Sequence, residues 1–258
     1  MNRNGKFQVA TASLVKAALL AAISIVLTRV FSIMIPLGGM PALRIGFGTL
    51  PIMISGMLFG PLIGALTGVV ADLIGVMLNP MGGTFFPGFT LSAAMNGLIA
   101  GLLFHTFKIH KKKTNYTMAN AIVILMFLLI ILGILLTSGV IIFVNGKAQI
   151  AEPFAMFVVL VAYLLSIAFM LIPVISPKRL NLKDAVYGFD KIAFAVTVDY
   201  LIVSLVMNTE WLSMMYGKGV LVFLPGRIVA AIAIIPIYTF ALFTLSRVMK
   251  FEQIATKK

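Results

Sequence analysis

The placement of its charges constrains this chain most. Long apolar runs, several reaching the roughly 20 residues needed to cross a bilayer, are separated by short segments that hold most of the ionisable groups. Of the 20 Lys and Arg residues, fifteen fall in four clusters: Arg3/Lys6/Lys16, Lys108/Lys111/Lys112/Lys113, Lys178/Arg179/Lys183/Lys191 and Arg247/Lys250/Lys257/Lys258. The other five, Arg29, Arg44, Lys147, Lys218 and Arg227, fall at the opposite ends of the same runs. Basic residues concentrated on alternate connections mark the cytoplasmic loops of a polytopic membrane protein. The pattern assigns a side to every loop and puts both termini in the cytoplasm.

With 61% hydrophobic and 10% charged residues, a soluble domain is excluded. The net charge of +13 does not point to nucleic acid, because it is spread over four loops that sit at anionic headgroups. There is no cysteine, so disulfide and thiol chemistry are absent. The basic start, MNRNGKFQVATASLVK, precedes an apolar run from Ala17 to Pro36. That run is long enough to span, so it reads as a retained first helix rather than a cleaved signal peptide. Direct insertion in a bacterial cytoplasmic membrane as a multi-pass protein is expected.

Eight spans follow, forming a single transmembrane domain over 1–258 that is all-α, since lipid tolerates only helices and closed barrels. Helix 1 covers about 12–35 and is followed by PLGGMPALR. Helices 2 and 3 cover about 46–58 and 61–78, divided by Phe59-Gly60-Pro61, with Pro51 expected to bend the second. After the outer loop 79–88, helix 4 covers about 89–107. Two very apolar stretches, about 116–144 and 152–173, come next, and then the basic segment 174–191. A helix at about 192–207 leads to the outer loop NTEWLSMMYGKG, and the last helix covers about 220–247.

No G-x-x-x-x-G-K-[ST] phosphate loop is present, so the chain by itself cannot drive transport with ATP. No zinc-ligand spacing occurs, and no cofactor is expected. The only histidines, His105 and His110, fall at a cytoplasmic helix end and read as surface residues.

Charges inside spans are costly and are usually functional or paired. By a rise of about 1.5 Å per residue, Arg29 and Asp72 lie roughly 9 Å, Arg227 roughly 10 Å and Asp199 roughly 13 Å inside the outer face. Different helices thus bring charge to a shared depth, as an outward-opening polar cavity requires. An interhelical tie between Asp72 and either arginine is one reading. An anion site is the other, with arginines forking onto carboxylates and an aspartate accepting from a heterocycle. Asp199 reads as a structural residue.

The outer loops add Phe85, Phe86 and Phe89 beside Gly82-Gly83, and Asn208, Thr209, Glu210, Trp211, Tyr216 and Lys218. Such aromatics form a headgroup belt or a lid over a flat ligand, and the glycines suit a lid that moves. Helix 1 carries Ala17, Ala18, Ala21 and Ala22, whose small-xxx-small spacing permits close helix approach and suits docking on a partner subunit.

The stretch TRV…IPLGGMPALRIGFGTLPIMISGMLFGPLIGALTGVVADLIGVMLNPMGGTFFPGFTLSAAMNGLIAGLLF resembles the substrate-binding S components of energy-coupling factor (ECF) vitamin transporters. It is most similar to the folate-specific subgroup, as is NTEWLSMMYGKGVLVFLPGRI. The resemblance covers about 10–107 and 192–248, a six-helix core, and leaves 114–174 as an inserted transmembrane hairpin. Glu210 departs from the pattern, standing where an apolar residue is expected.

The resemblance implies a non-enzymatic vitamin-uptake protein that captures its ligand outside the cell. It implies association with a transmembrane coupling subunit and two cytoplasmic ATPases that use the ATP, with the alanine face as the docking surface and toppling in the membrane as the proposed cycle. For a folate or reduced folate, Arg29, Arg44, Lys218 and Arg227 are candidates for the glutamate tail. Phe85, Phe86, Phe89, Trp211 and Tyr216 are candidates for stacking, and Asp72 or Asn208 for the pterin amino group. Another vitamin or a queuosine precursor is an alternative ligand; a membrane-embedded lipid enzyme and a structural scaffold are more distant readings.

Overall fold

In the computed structural model, residues 11–37, 39–80, 84–112, 116–137, 141–144, 147–150, 164, 187–249 and 251 are described. The order is α1 (Thr11–Arg29), β1 (Ile33–Leu37), β2 (Met40–Ile45), α2 (Thr49–Phe59), α3 (Pro61–Leu78), α4 (Pro87–Gly101), α5 (Tyr116–Thr137), β3 (Ile141–Val144), β4 (Lys147–Ile150), α6 (Phe189–Asp199), α7 (Asn208–Tyr216) and α8 (Val220–Val248). A π-helical segment, Tyr200–Met207, joins α6 to α7 without a break. Among the described residues, five helices are long and apolar enough to cross a bilayer: Thr11–Arg29, Pro61–Leu78, Pro87–Lys111, Phe189–Tyr216 and Val220–Val248.

The turn at Gly60-Pro61 forms as its sequence dictates. Gly60 has φ of 102°, a conformation that L side chains avoid, and Pro61 opens α3 where its missing N–H is not needed. Pro51 occupies the first turn of α2 for the same reason, so α2 carries no proline in its interior, contrary to the expected bend.

α2, α3 and α4 meet through glycine. A Cβ on Gly64 would stand 2.6 Å from the carbonyl oxygen of Gly97 and 2.5 Å from Cα of Gly56. Backbones pack directly there, a contact that only the smallest residues permit. Around it lies an apolar core that includes Met53, Met57, Ala100, Phe104, Ile192 and Leu242.

Four boundaries differ from the sequence reading. α1 stops at Arg29, and the remainder of its apolar run becomes β1, paired antiparallel with β2, so a short strand pair joins the predominantly helical fold. Pro36 excludes helical backbone at the preceding residue, and 40–45 supplies a matching strand. NTEWLSMMYGKG is not a loop: α7 continues to Tyr216, buries Thr209 and Leu212, and ends at Gly217 with φ of 61°. The helix expected at 116–144 ends at Thr137, and a second hairpin, β3–β4, follows. α4 starts at Pro87 and passes at Leu102 into a π turn.

In the segment read as an inserted hairpin, α5 covers the first apolar stretch, and its Tyr116 N–H donates to Asp190 Oδ2 at 3.0 Å. The second stretch, about 152–173, falls outside the described residues apart from Leu164, as do Gly82-Gly83 and the basic residues 178–183. The two histidines are half-buried rather than on the surface. His105 Nε2 lies 3.3 Å from the Leu58 carbonyl, and the His110 ring stacks near Tyr187 at 6.1 Å.

Candidate functional site

α1 and α3 form one wall of a cavity, α6 through α8 form another, and α4 joins them. The β1–β2 hairpin closes it from the side, bringing Met34, Pro41, Ala42 and Arg44 to its lining. The volume is about 260 Å³, near the lower bound of small-molecule sites.

Arg29, Arg44, Asp72, Phe85, Phe86, Phe89, Asn208, Tyr216 and Arg227 all line this cavity. Nine of the eleven residues singled out as ligand candidates therefore converge from six elements and one connection, the α3–α4 loop. Trp211 and Lys218 do not line it. Trp211 stands behind the aromatic wall, its ring 6.0 Å from Phe86 and its Nε1–H donating to Ser92 Oγ at 3.1 Å. Lys218 is exposed, and its carbonyl accepts from Ser213 Oγ at 2.7 Å.

Arg29 closes α1, so it is not six residues inside a longer helix. Its Nη2 lies 3.6 Å from Asp72 Oδ1, and its Nη1 donates to the Asn79 carbonyl at 3.0 Å. Asp72 Oδ2 also accepts from Thr90 Oγ1 at 2.7 Å. The interhelical tie is therefore present, and it forms inside the cavity lining. Arg44 stands opposite Met34 in the hairpin register. Burial, then the nearby Arg29 charge, pulls its guanidinium below the ordinary arginine value, and Asp72 opposes them. Its buried Nε finds no hydrogen-bond partner among the described residues.

Arg227 is 4% exposed and engaged. Nη1 donates to the Ser204 carbonyl at 2.8 Å and to Ser204 Oγ at 3.1 Å, and Nη2 donates to the Ala42 carbonyl at 2.9 Å. Its Nε is left without a partner among the described residues. Phe86 and Phe89 meet edge to face at 5.8 Å.

Ser204, Tyr238 and Asp199 are among the lining residues that the sequence reading did not single out as ligand candidates. Ser204 lies in the π segment and Tyr238 in α8, where a hydroxyl in an apolar run is the only signal. Asp199, read as structural, lines the cavity with Oδ1 buried and without a partner among the described residues. Among the described residues, no cluster of three or more His, Cys, Asp or Glu could hold a metal ion.

The alanine face divides. Ala17 and Ala21 are buried in the bundle, whereas Ala18 and Ala22 are exposed. The four alanines do not share one outer surface, because positions 17 and 21 lie on the side of α1 that packs on α2 and α3.

The family model for the substrate-specific component of ECF transporters matches residues 12–178. The chain belongs to this family. It is thus a multi-pass membrane component of a transporter, as its charge pattern requires. One curated relative, "Folate transporter FolT" of Clostridium novyi (strain NT), is 42% identical over 96 residues, covering 37% of this chain and 52% of the relative. An "Uncharacterized protein MG098 homolog" of Mycoplasma pneumoniae is 37% identical over 65 residues, covering 25% of this chain and 13% of that protein. The chain thus spans about half the length of the first curated relative and much less of the second. The solved structure titled "Crystal structure of FolT bound with folic acid" superposes with a TM-score of 0.54 at 20% identity, over 92% of this chain and 94% of that one. The S-component fold therefore extends across nearly all of the chain.

Proposed function

We propose that this S component captures folate or a reduced folate on the extracellular side for ATP-driven uptake. One observation carries the reading: Arg29 and Arg44 share a cavity lining with Phe85, Phe86 and Phe89. Folate joins a flat pterin to a tail with two carboxylates, so it needs both a cationic and an aromatic surface. Guanidinium forks suit the carboxylates, and phenylalanine edges and faces suit the ring. The relative named as a folate transporter, 42% identical over its matched segment, supports the same ligand.

In this reading Arg44 is the principal partner of the tail, with Arg29 reorganised from Asp72 or shared with it. Asn208, whose buried Oδ1 has no partner among the described residues, offers an acceptor to the ligand. A transmembrane coupling subunit and two cytoplasmic ATPases supply the energy, and the exposed Ala18 and Ala22 belong to the surface that meets the coupling subunit.

Isothermal titration of the purified protein with folic acid, with thiamine and riboflavin as controls, tests this. Tight folate binding with silent controls is expected. A folded sample that ignores folic acid would move the reading to another vitamin.

A further inference from the structure

We propose that Asp199 selects the ligand's heterocycle, accepting from a ring N–H and an adjacent exocyclic amino group. This inference rests on the folate-type reading and assigns the pterin edge to a residue of the opposite wall from Arg29 and Asp72.

The two aspartates of the cavity are in opposite states. Asp72 is served by the protein, with Thr90 Oγ1 at 2.7 Å and Arg29 at 3.6 Å. Asp199 is 5% exposed, forms no ion pair among the described residues, and has Oδ1 buried with no partner. A buried carboxylate in that state is costly, and native proteins seldom leave one unserved.

Two tyrosine hydroxyls of the same lining are engaged elsewhere in the protein. Tyr200 gives its hydroxyl to the Arg227 carbonyl at 2.9 Å, and Tyr238 gives its own to the Gly46 carbonyl. Arg227 spends both terminal nitrogens on Ser204 and Ala42. An occupant of the cavity can complete Asp199, because Asp199 is itself a lining residue.

A carboxylate has two acceptor oxygens and no donor when ionised. It pairs best with two parallel N–H groups, the arrangement that makes an arginine fork strong. A pterin offers that arrangement at its 2-amino group and ring N3–H. Asn208 lies nine positions further along the same helix, about 13 Å by helical rise. Its unpartnered Oδ1 adds a second acceptor towards the mouth. The α1–α3 wall, with Arg29 and the adjoining Arg44, is then left for the anionic tail.

The test is isothermal titration in detergent with three ligands: folic acid, its 2-desamino analogue, and 4-aminobenzoyl-glutamate, which keeps the tail but lacks the pterin. The wild-type protein should bind the desamino analogue about thirtyfold more weakly than folic acid, the scale of losing hydrogen bonds to a charged group. Asp199→Asn should weaken folic acid by about as much. It should also erase the preference over the desamino analogue and leave 4-aminobenzoyl-glutamate unchanged.

If Asp199→Asn keeps the full preference, Asp199 is not the selector. If the variant does not fold, the wild-type comparison decides, since equal affinity for folic acid and its desamino analogue overturns the proposal without any substitution. Absence of folic acid binding by the wild type removes the folate reading, and this inference with it. That outcome is distinct from folate binding that ignores the amino group.

Discussion

Arg227 Nη2 donates to the carbonyl oxygen of Ala42 at 2.9 Å, across 185 positions of chain. The same guanidinium holds Ser204 through Nη1. It therefore fastens the β1–β2 hairpin to both α8 and the π segment. The π geometry matters here, because its wider turn shifts backbone carbonyls out of α-helical register, and such segments concentrate at functional sites. An arginine suits this place because its planar fork spans two acceptors that lie on different elements.

Replacing Arg227 with Ala is expected to act first on the hairpin. Charge-assisted hydrogen bonds of this kind contribute about 1.5–3 kcal/mol each, so thermal unfolding should come several degrees earlier. Folic acid affinity should fall more than tenfold, because Ala42 and Arg44 lose their placement in the wall. Hydrogen exchange should rise across 33–45 and not across α3. Loss of affinity with hairpin protection intact would instead make Arg227 a direct ligand contact.

Arg44 should separate binding from stability. Its buried Nε has no partner among the described residues, so Arg44→Ala removes a cation without breaking a hydrogen bond from that nitrogen to any of them. Folic acid affinity is expected to drop by tenfold or more with little change in unfolding temperature. Arg29→Ala, by contrast, leaves Asp72 without its ion pair and should cost both. Removing one partner of a buried pair is destabilising by roughly 3–5 kcal/mol, measurable in thermal melts beside the titrations.

Much of this was legible in the sequence, and the reasons are local. α3 runs over Pro61–Leu78 as expected, because Gly60-Pro61 and Asn79-Pro80 punctuate both ends. Arg29, Arg44, Asp72 and Arg227 share the lining because ionisable groups at membrane depth must face a polar interior, whereas Lys218, beyond the helix end, is exposed. The hairpin was not legible. Hydropathy cannot tell the last two turns of a helix from a short apolar strand, and only pairing with 40–45 decides it. α7 was hidden for the opposite reason: its polar surface reads as a loop, while Thr209 and Leu212 anchor it to the bundle. Which donor serves which acceptor, as with Asp72 against Asp199, depends on contacts between distant helices that spacing does not encode.

The one tryptophan gives an internal probe. Trp211 lies 6.0 Å from Phe86, and its indole N–H is held by Ser92, which faces the cavity on its other side. Folic acid entering the cavity should quench Trp211 emission in a saturable way, with a midpoint equal to the calorimetric Kd. Trp211→Phe should abolish the signal and change affinity less than about threefold, since an aromatic body remains at the back of the wall. A loss of affinity beyond tenfold would place the indole in direct contact with the ligand.

The divided alanine face of α1 makes a contrast that a uniform docking surface would not. Ala21 is 3% exposed and packs with Ile52 and Ala71, so Ala21→Leu must displace neighbours and is expected to lower stability by about 1–3 kcal/mol. Ala18 faces outward beside Leu14 and Val15, and Ala18→Leu should leave both melting temperature and folic acid affinity unchanged. Added bulk there would nevertheless hold a partner helix away. The expected result for Ala18→Leu, and likewise Ala22→Leu, is normal binding in detergent with reduced uptake in cells that express the coupling subunit and ATPases. Uptake equal to wild type in both variants would move the docking surface to another helix, whereas uptake lost together with binding would mean that α1 had been distorted rather than undocked.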